Sequence, residues 1–212
     1  MDESLRKVFV RELRQSQNLV FGANFSRRGN MNLKFPVDKQ YSIVYADPPW
    51  SYRDKALAGD RGAECKYDCM SPSELMVLPV NRIVTDDAWL FLWCTMPMLP
   101  IGIELMNWWG FFYRTVAFTW VKRTKNGKLA WGMGNYTRAN AELCLLGIRG
   151  RPRRVSAGVH SVIEAESVRH SQKPSETRER IVRLCGHVPR IELFARDRAP
   201  GWDAWGNEVG DD

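Results

Sequence analysis

Ten residues constrain this chain more than any others: Tyr41 to Trp50, read as Tyr-Ser-Ile-Val-Tyr-Ala-Asp-Pro-Pro-Trp. The run Ile43-Val44-Tyr45-Ala46 has the length and the β-branched and aromatic content of a buried strand. Pro48 and Pro49 stop it, because proline lacks the N–H that a ladder needs and fixes its own φ. Asp47 and Trp50 are thereby held on a stiff turn at the carboxyl end of a strand, which is where open α/β sheets place their ligands.

The chemistry that suits such a turn is methylation of an exocyclic amine on a base. An adenine amino nitrogen is a poor nucleophile, because its lone pair is delocalised into the ring. Asp47 can accept a hydrogen bond from one N–H and the Pro48 carbonyl from the other. Both contacts favour a pyramidal nitrogen aligned for attack on a methyl group. The face of Trp50 can hold the flat base, and base–aromatic stacking is worth roughly 1–3 kcal/mol. The structural alternative is a strand followed by a Pro-Pro turn with a buried tryptophan.

At 212 residues the chain is long enough for one domain with a full core. Its formal net charge of +7 suits a polyanionic partner. The five cysteines are odd in number and scattered, and no second pair completes a zinc site around Cys65 and Cys69. Cys94 and Cys144 fall inside apolar runs, as core cysteines do. No metal is expected. The charged start of the sequence does not read as a signal peptide, and no apolar run reaches the roughly 18–20 residues of a membrane span. These features predict a cytoplasmic protein in a reducing compartment, without membrane contact.

Residues 1–40 read as an N-terminal extension, with a short helix over 2–19 and a loop over 22–40; residues 41–212 read as one domain. A loop over 51–70 follows the proline turn and is placed to close over a substrate. Ser71-Pro72-Ser73-Glu74 is a capping-box pattern that starts a short helix through about Leu78. Further strands are expected over Trp89–Cys94, Phe112–Val121, Ala141–Ile148, Val162–Ala165 and Arg190–Ala195. Helices are expected over Pro97–Trp109, ended by Gly110, and over Pro174–Cys185, ended by Gly186. Strands alternating with helices predict a largely parallel α/β sheet.

The C-terminal half carries the second group of candidates. Lys173 lies beside a helix start and makes a positive corner suited to a carboxylate. Glu192 lies in a strand and Arg196 just past its end, where acidic groups bind ribose hydroxyls in dinucleotide folds. Asn207 and Glu208 follow Gly206, which permits close backbone approach. Arg149, Arg151, Arg153 and Arg154 form a basic run with Gly150 and Pro152 interleaved, a composition suited to phosphate contacts, to a solvated loop, or to docking a second subunit. Arg27 and Arg28 are a weaker pair of the same kind.

Together these segments resemble the adenine-N6 methyltransferase family named for the seventy-kilodalton subunit of the eukaryotic messenger-RNA methyltransferase. The resemblance runs from about Tyr41 to Val209. It includes Asp47-Pro48-Pro49-Trp50, Tyr67-Asp68-Cys69-Met70-Ser71, Phe91-Leu92-Trp93, Trp108-Trp109-Gly110-Phe111 and Trp120-Val121-Lys122. It continues through Gly134 to Arg138 with Glu142, His170 to Pro174, Glu192 to Arg196, and Gly206-Asn207-Glu208. The absence of large accessory regions resembles compact bacterial or phage-type members.

The resemblance implies a Rossmann-like methyltransferase sheet in permuted order, with the Asp-Pro-Pro-Trp tetrad early and much of the cofactor-binding part late. It implies S-adenosylmethionine as cofactor and Asp47, Pro48, Pro49 and Trp50 as the catalytic tetrad. Lys173 then meets the cofactor's methionyl carboxylate; Glu192, Arg196, Asn207 and Glu208 neighbour its ribose and adenine; Tyr67 lies in the loop that gates the site. The implied reaction is methyl transfer to adenine N6, with DNA preferred as substrate and RNA as the alternative. A further alternative is a non-catalytic nucleic-acid-binding subunit, although such relatives typically carry a damaged tetrad. A homodimer or a second subunit is compatible with all three.

Overall fold

A computed structural model describes residues 35–51, 69–132, 134, 136–167 and 172–209. The helix expected over 2–19, Arg27, Arg28, Tyr67, His170 and most of the 51–70 loop lie outside the described residues. Seven strands form one sheet: β1 (Tyr41–Ala46), β2 (Val84–Cys94), β3 (Phe112–Arg123), β4 (Ala141–Arg149), β5 (Val162–Glu166), β6 (Arg190–Leu193) and β7 (Asp203–Trp205). Among the described residues three α-helices accompany them: α1 (Pro72–Met76), α2 (Leu99–Trp108) and α3 (Glu176–Cys185). The order across the sheet is β5-β3-β4-β2-β1-β6-β7.

The sheet is parallel with one exception. β1 runs parallel to both β2 and β6, β6 to β7, and β3 to β5, whereas β4 is antiparallel to both its neighbours. β1 therefore lies near the centre, with a late strand on one side and an early one on the other. This is the expected α/β methyltransferase architecture in permuted order.

Alternation along β1 divides the core between two faces. Val44 and Ala46 join Leu90, Leu92 and Leu145 under α1 and α2, against Leu75, Leu105, Met106 and Trp109. Ile43 and Tyr45 join Phe91, Trp93, Phe118, Trp120 and Cys144 on the other face, beneath Ile181 and Cys185 of α3. Complete burial of each Leu, Ile or Phe contributes about 1.5–3 kcal/mol.

The local signals act where the sequence places them. The Ser71 hydroxyl accepts from the Glu74 backbone N–H at 3.3 Å, and the Glu74 carboxylate accepts from the Ser71 N–H at 2.8 Å, closing the capping box of α1. Gly110 and Gly186 follow α2 and α3 with φ of 82° and 86°, in the region that favours glycine. Most ends lie within two residues of expectation, and three features differ more. β2 begins at Val84, ahead of Trp89: Val84 pairs with Tyr41 and Trp89 with Ile43, and Thr85, Asp86 and Asp87 between them break the apolar run. α2 is preceded by a 3₁₀ turn over Met96–Met98. β7 is an added edge strand of three residues. Phe35 is buried against Trp205, with ring centroids 5.0 Å apart, and Lys39 pairs with Asp203 at 2.6 Å. The domain's packing thus begins ahead of Tyr41. Among the described residues no helix is long and apolar enough to cross a membrane.

Candidate active site

The proline turn leaves β1 at its carboxyl end, as the sequence requires. The Trp50 N–H donates to the Pro48 carbonyl at 2.9 Å, and the Met70 N–H to the Pro49 carbonyl at 2.9 Å. Trp50 is buried, and its indole N–H donates to the Trp93 carbonyl at 3.3 Å. Its main visible contribution is to anchor the turn; little of its face is open to a base in this conformation.

Asp47 stands at the head of a chain of alternating charges. Lys173 Nζ donates to both Asp47 carboxylate oxygens at 2.7 Å and lies 3.3 Å from Glu142 Oε2. Glu142 in turn accepts from Lys122. Lys173 and Lys122 lie over the rings of Trp93 and Trp120 at 5.5 and 4.9 Å, so aromatic faces support both cations. Four elements supply the four groups: the turn after β1, the segment before α3, the start of β4 and the end of β3. The reversed direction of β4 makes this possible, because it brings Glu142 to the same edge of the sheet as Asp47.

Burial pushes the Asp47 carboxyl above its usual range, and the Lys173 ammonium pulls back against it. Burial alone would lower Lys173, but Asp47 and Glu142 outweigh it and hold the ammonium charged. Burial alone would raise Glu142, yet Lys173 and Lys122 together keep its carboxyl below the usual range.

The late strands bring the other candidates to the same edge. β6 is followed by Phe194, whose φ of 61° is left-handed for a bulky side chain, a conformation costing about 1–3 kcal/mol. Its ring packs on Trp205 at 5.5 Å, and the Ala195 N–H donates to the Trp205 carbonyl at 3.0 Å, which holds the turn. Gly206 lies against this turn: a Cβ there would fall 2.3 Å from the Ala195 carbonyl oxygen. The close approach expected of Gly206 is thus to the protein's own backbone. It brings Glu208 to 3.7 Å from Arg196, leaving Asn207 and Glu208 exposed. The Arg196 charge also acts on Asp47.

Glu192 is placed differently from expectation. It is buried, and both of its oxygens accept from Arg178 of α3, at 2.6 and 3.0 Å. Arg178 also bonds Asp197, so one guanidinium ties the residues on either side of the Phe194 turn. Arg178 was not apparent from the sequence, where it reads as one charge among several on an exposed helix. Arg178→Ala should cost about 2–4 kcal/mol, because it leaves a buried carboxylate without its cation. Thermal unfolding of the single variant and of Arg178→Ala/Glu192→Gln checks this: the double variant should recover part of the loss. A loss under about 1 kcal/mol would place the pair with ordinary surface ion pairs.

The arginine run is divided by the fold. Arg149 is buried, donates to the Asn81 carbonyl at 3.1 Å and lies 3.7 Å from Asp86. It is a structural residue, which corrects its expected role as a phosphate contact. Arg151, Arg153 and Arg154 are exposed, but β4 carries them away from the site: Leu143 pairs with Cys94, whereas Arg149 pairs with Ala88. Roughly 20 Å of strand separates the run from Glu142. The Arg151 N–H donates to Asp87 at 2.6 Å, so the run begins docked on the acidic start of β2.

Sequence comparison decides the family. The profile described as MT-A70 matches residues 41–208. The chain belongs to the MT-A70 family. Type II methyltransferase M.MunI of Mycoplasma sp is 34% identical over 191 residues, which cover 82% of this chain and 79% of that protein. The N(6)-adenosine-methyltransferase catalytic subunit METTL3 of Homo sapiens is 31% identical over 175 residues, 80% of this chain but 28% of that protein. The MT-A70-like protein of Drosophila melanogaster is 31% identical over 182 residues, 84% of this chain and 28% of that protein. The chain thus spans under a third of the METTL3-type relatives. MT-A70 proteins are methyltransferases that use S-adenosylmethionine. This edge suits that cofactor by its donor set: a buried ammonium, a guanidinium and carboxylates lie along it, the groups that a zwitterionic headgroup and a ribose diol would meet.

Proposed function

We propose that this chain is an adenine-N6 methyltransferase acting on DNA. The observation that carries the reading is the complete Asp47 site: an intact proline turn whose carboxylate is fixed at 2.7 Å by a buried lysine. A non-catalytic subunit has no evident use for an acceptor so placed. DNA is favoured over RNA because the chain matches most of the length of a Type II methyltransferase and a small part of the adenosine methyltransferases.

When bound, the cofactor supplies a methyl group on a positively charged sulfur. Lys173, Arg196, Asn207 and Glu208 hold it at the carboxyl edge of β1 and β6. Asp47 accepts one N–H of the adenine amine, and the second lone pair of the Pro48 carbonyl accepts the other. Pro49 stiffens the turn, and Trp50 fixes it to β2 through the Trp93 carbonyl. Glu192 acts through Arg178, setting the turn that carries Arg196. The chain's contribution is proximity and orientation, together with hydrogen bonding at the nitrogen. Proton loss follows methylation, when the amine has become acidic, with Asp47 or water as acceptor. In a duplex the adenine flips out, at a cost of a few kcal/mol.

Labelled S-adenosylmethionine supplied with matched duplex DNA, single-stranded DNA and RNA tests the reading. N6-methyladenine should appear in the DNA pools and be identified by mass. Product in RNA alone would transfer the assignment to RNA. Cofactor binding without product in any pool would favour the non-catalytic reading.

A further inference from the structure

The hairpin between β3 and β4 has an unusual surface. Leu129 is 52% exposed, Trp131 79% and Tyr136 fully exposed, whereas Trp93, Trp109 and Trp120 are buried. Large aromatic side chains left in water on a domain with an ample core mark a contact surface. From Thr124 to Asn140 the sequence contains Lys125, Lys128 and Arg138, and no aspartate or glutamate. The Arg138 guanidinium lies 5.1 Å from the Trp131 ring centroid, which steadies the ring while most of its surface stays open.

The hairpin is built rather than loose. Its first arm folds back on β3: the Ala130 N–H donates to the Lys122 carbonyl at 2.9 Å, and the Thr124 N–H to the Lys128 carbonyl at 2.8 Å. Gly132 and Gly134 press against the returning arm, where a Cβ would fall 1.6 Å from the Ala139 carbonyl oxygen and 2.1 Å from that of Thr137. The hairpin springs from Lys122 and returns to Glu142, so it stands at the same edge as Asp47. The arginine run, in contrast, begins at the opposite edge.

We propose that this hairpin is a stacking platform for unpaired nucleotides flanking the target adenine, with Trp131 and Tyr136 taking base faces and Lys125, Lys128 and Arg138 facing phosphates. The proposal rests on the nucleic-acid reading above and deepens it. Aromatic faces among cations of one sign match a polyanion with flat bases better than a protein surface, which would present apolar area with mixed charge.

The test uses the full chain and a fluorescent single-stranded oligonucleotide, as DNA and as RNA, with a central adenine. A second version has abasic nucleotides on both sides, which keeps the phosphates and removes the stacking partners. Trp131→Ala/Tyr136→Ala should bind the natural oligonucleotide roughly ten- to a hundredfold more weakly, with an unchanged slope of affinity against salt and unchanged S-adenosylmethionine affinity. Abasic flanks should weaken the wild type similarly and cost the variant little more. Trp131→Phe/Tyr136→Phe, which keeps the rings, should restore most of the affinity.

Affinity within twofold of wild type would overturn the proposal, as would an equal abasic penalty in variant and wild type. A change in oligomeric state with nucleic-acid affinity intact would overturn it in favour of a protein partner. If the wild type methylates nucleic acid while these results fail, the platform alone falls. If the wild type methylates none, the functional reading falls with it.

Discussion

Asp47→Ala should lower methyl transfer by roughly a thousandfold or more while leaving the fold in place. The size follows from removing the acceptor that orients the reacting nitrogen, since single groups of this kind are worth about 10²–10⁴ in rate. The fold should survive because Asp47 is held at some cost: burial pushes its carboxyl upward, so its removal relieves a desolvation penalty. Lys173 also keeps Glu142, 3.3 Å away, as a counter-charge. Single-turnover transfer and thermal unfolding, measured together, separate the two effects. Near-wild-type turnover would remove Asp47 from the reaction.

Lys173→Met should be damaging in two ways. It leaves Asp47 and Glu142 without the ammonium they share, and breaking a buried pair from one side costs about 3–5 kcal/mol. It also moves the pH dependence in a stated direction. In the wild type, burial raises Asp47 and Lys173 pulls it back. Without Lys173 the carboxyl rises further, so the acid limb of kcat/KM should shift to higher pH. A carboxyl whose folded value is raised favours the folded state when protonated. The variant's stability deficit should therefore be full above that raised value and shrink as pH falls through it toward the ordinary carboxylate range. Denaturant unfolding at several pH values checks this; a deficit that grows on acidification would contradict the assignment of Asp47 as the stranded group.

Much of the site was legible because its signals are local. The strand Ile43 to Ala46, its proline stop and the Ser71 capping box need only neighbouring residues, and each stands as read. What could not be read depends on distance along the chain. Lys173 meets Asp47 across 126 positions, and nothing near either residue announces the other. Lys122 and Glu142 were visible as parts of family motifs, but their pairing follows from the antiparallel setting of β4, which a strand's own residues do not encode. Arg178 looks like any charge on an amphipathic helix until β6 is laid beside it. Arg149 failed for the opposite reason: a run of arginines suggests one surface, yet its first member is the last residue of a buried strand. β7 was missed because Asp203-Ala204-Trp205 is too short to show alternation.

The position of β1 beside β6 has a consequence for the protein's synthesis. Tyr45 pairs with Glu192, so the strand bearing the proline turn is made long before its neighbour. At about 5–20 residues per second, roughly 7–30 s of translation separate the two. Throughout that interval Ile43 to Ala46 present an apolar strand edge with its backbone groups unmatched on one side, the kind of edge that recruits foreign strands. On the ribosome the strand that leads into the proposed site is thus also one left open to aggregation, and any variant that slows the docking of β6 lengthens its exposure.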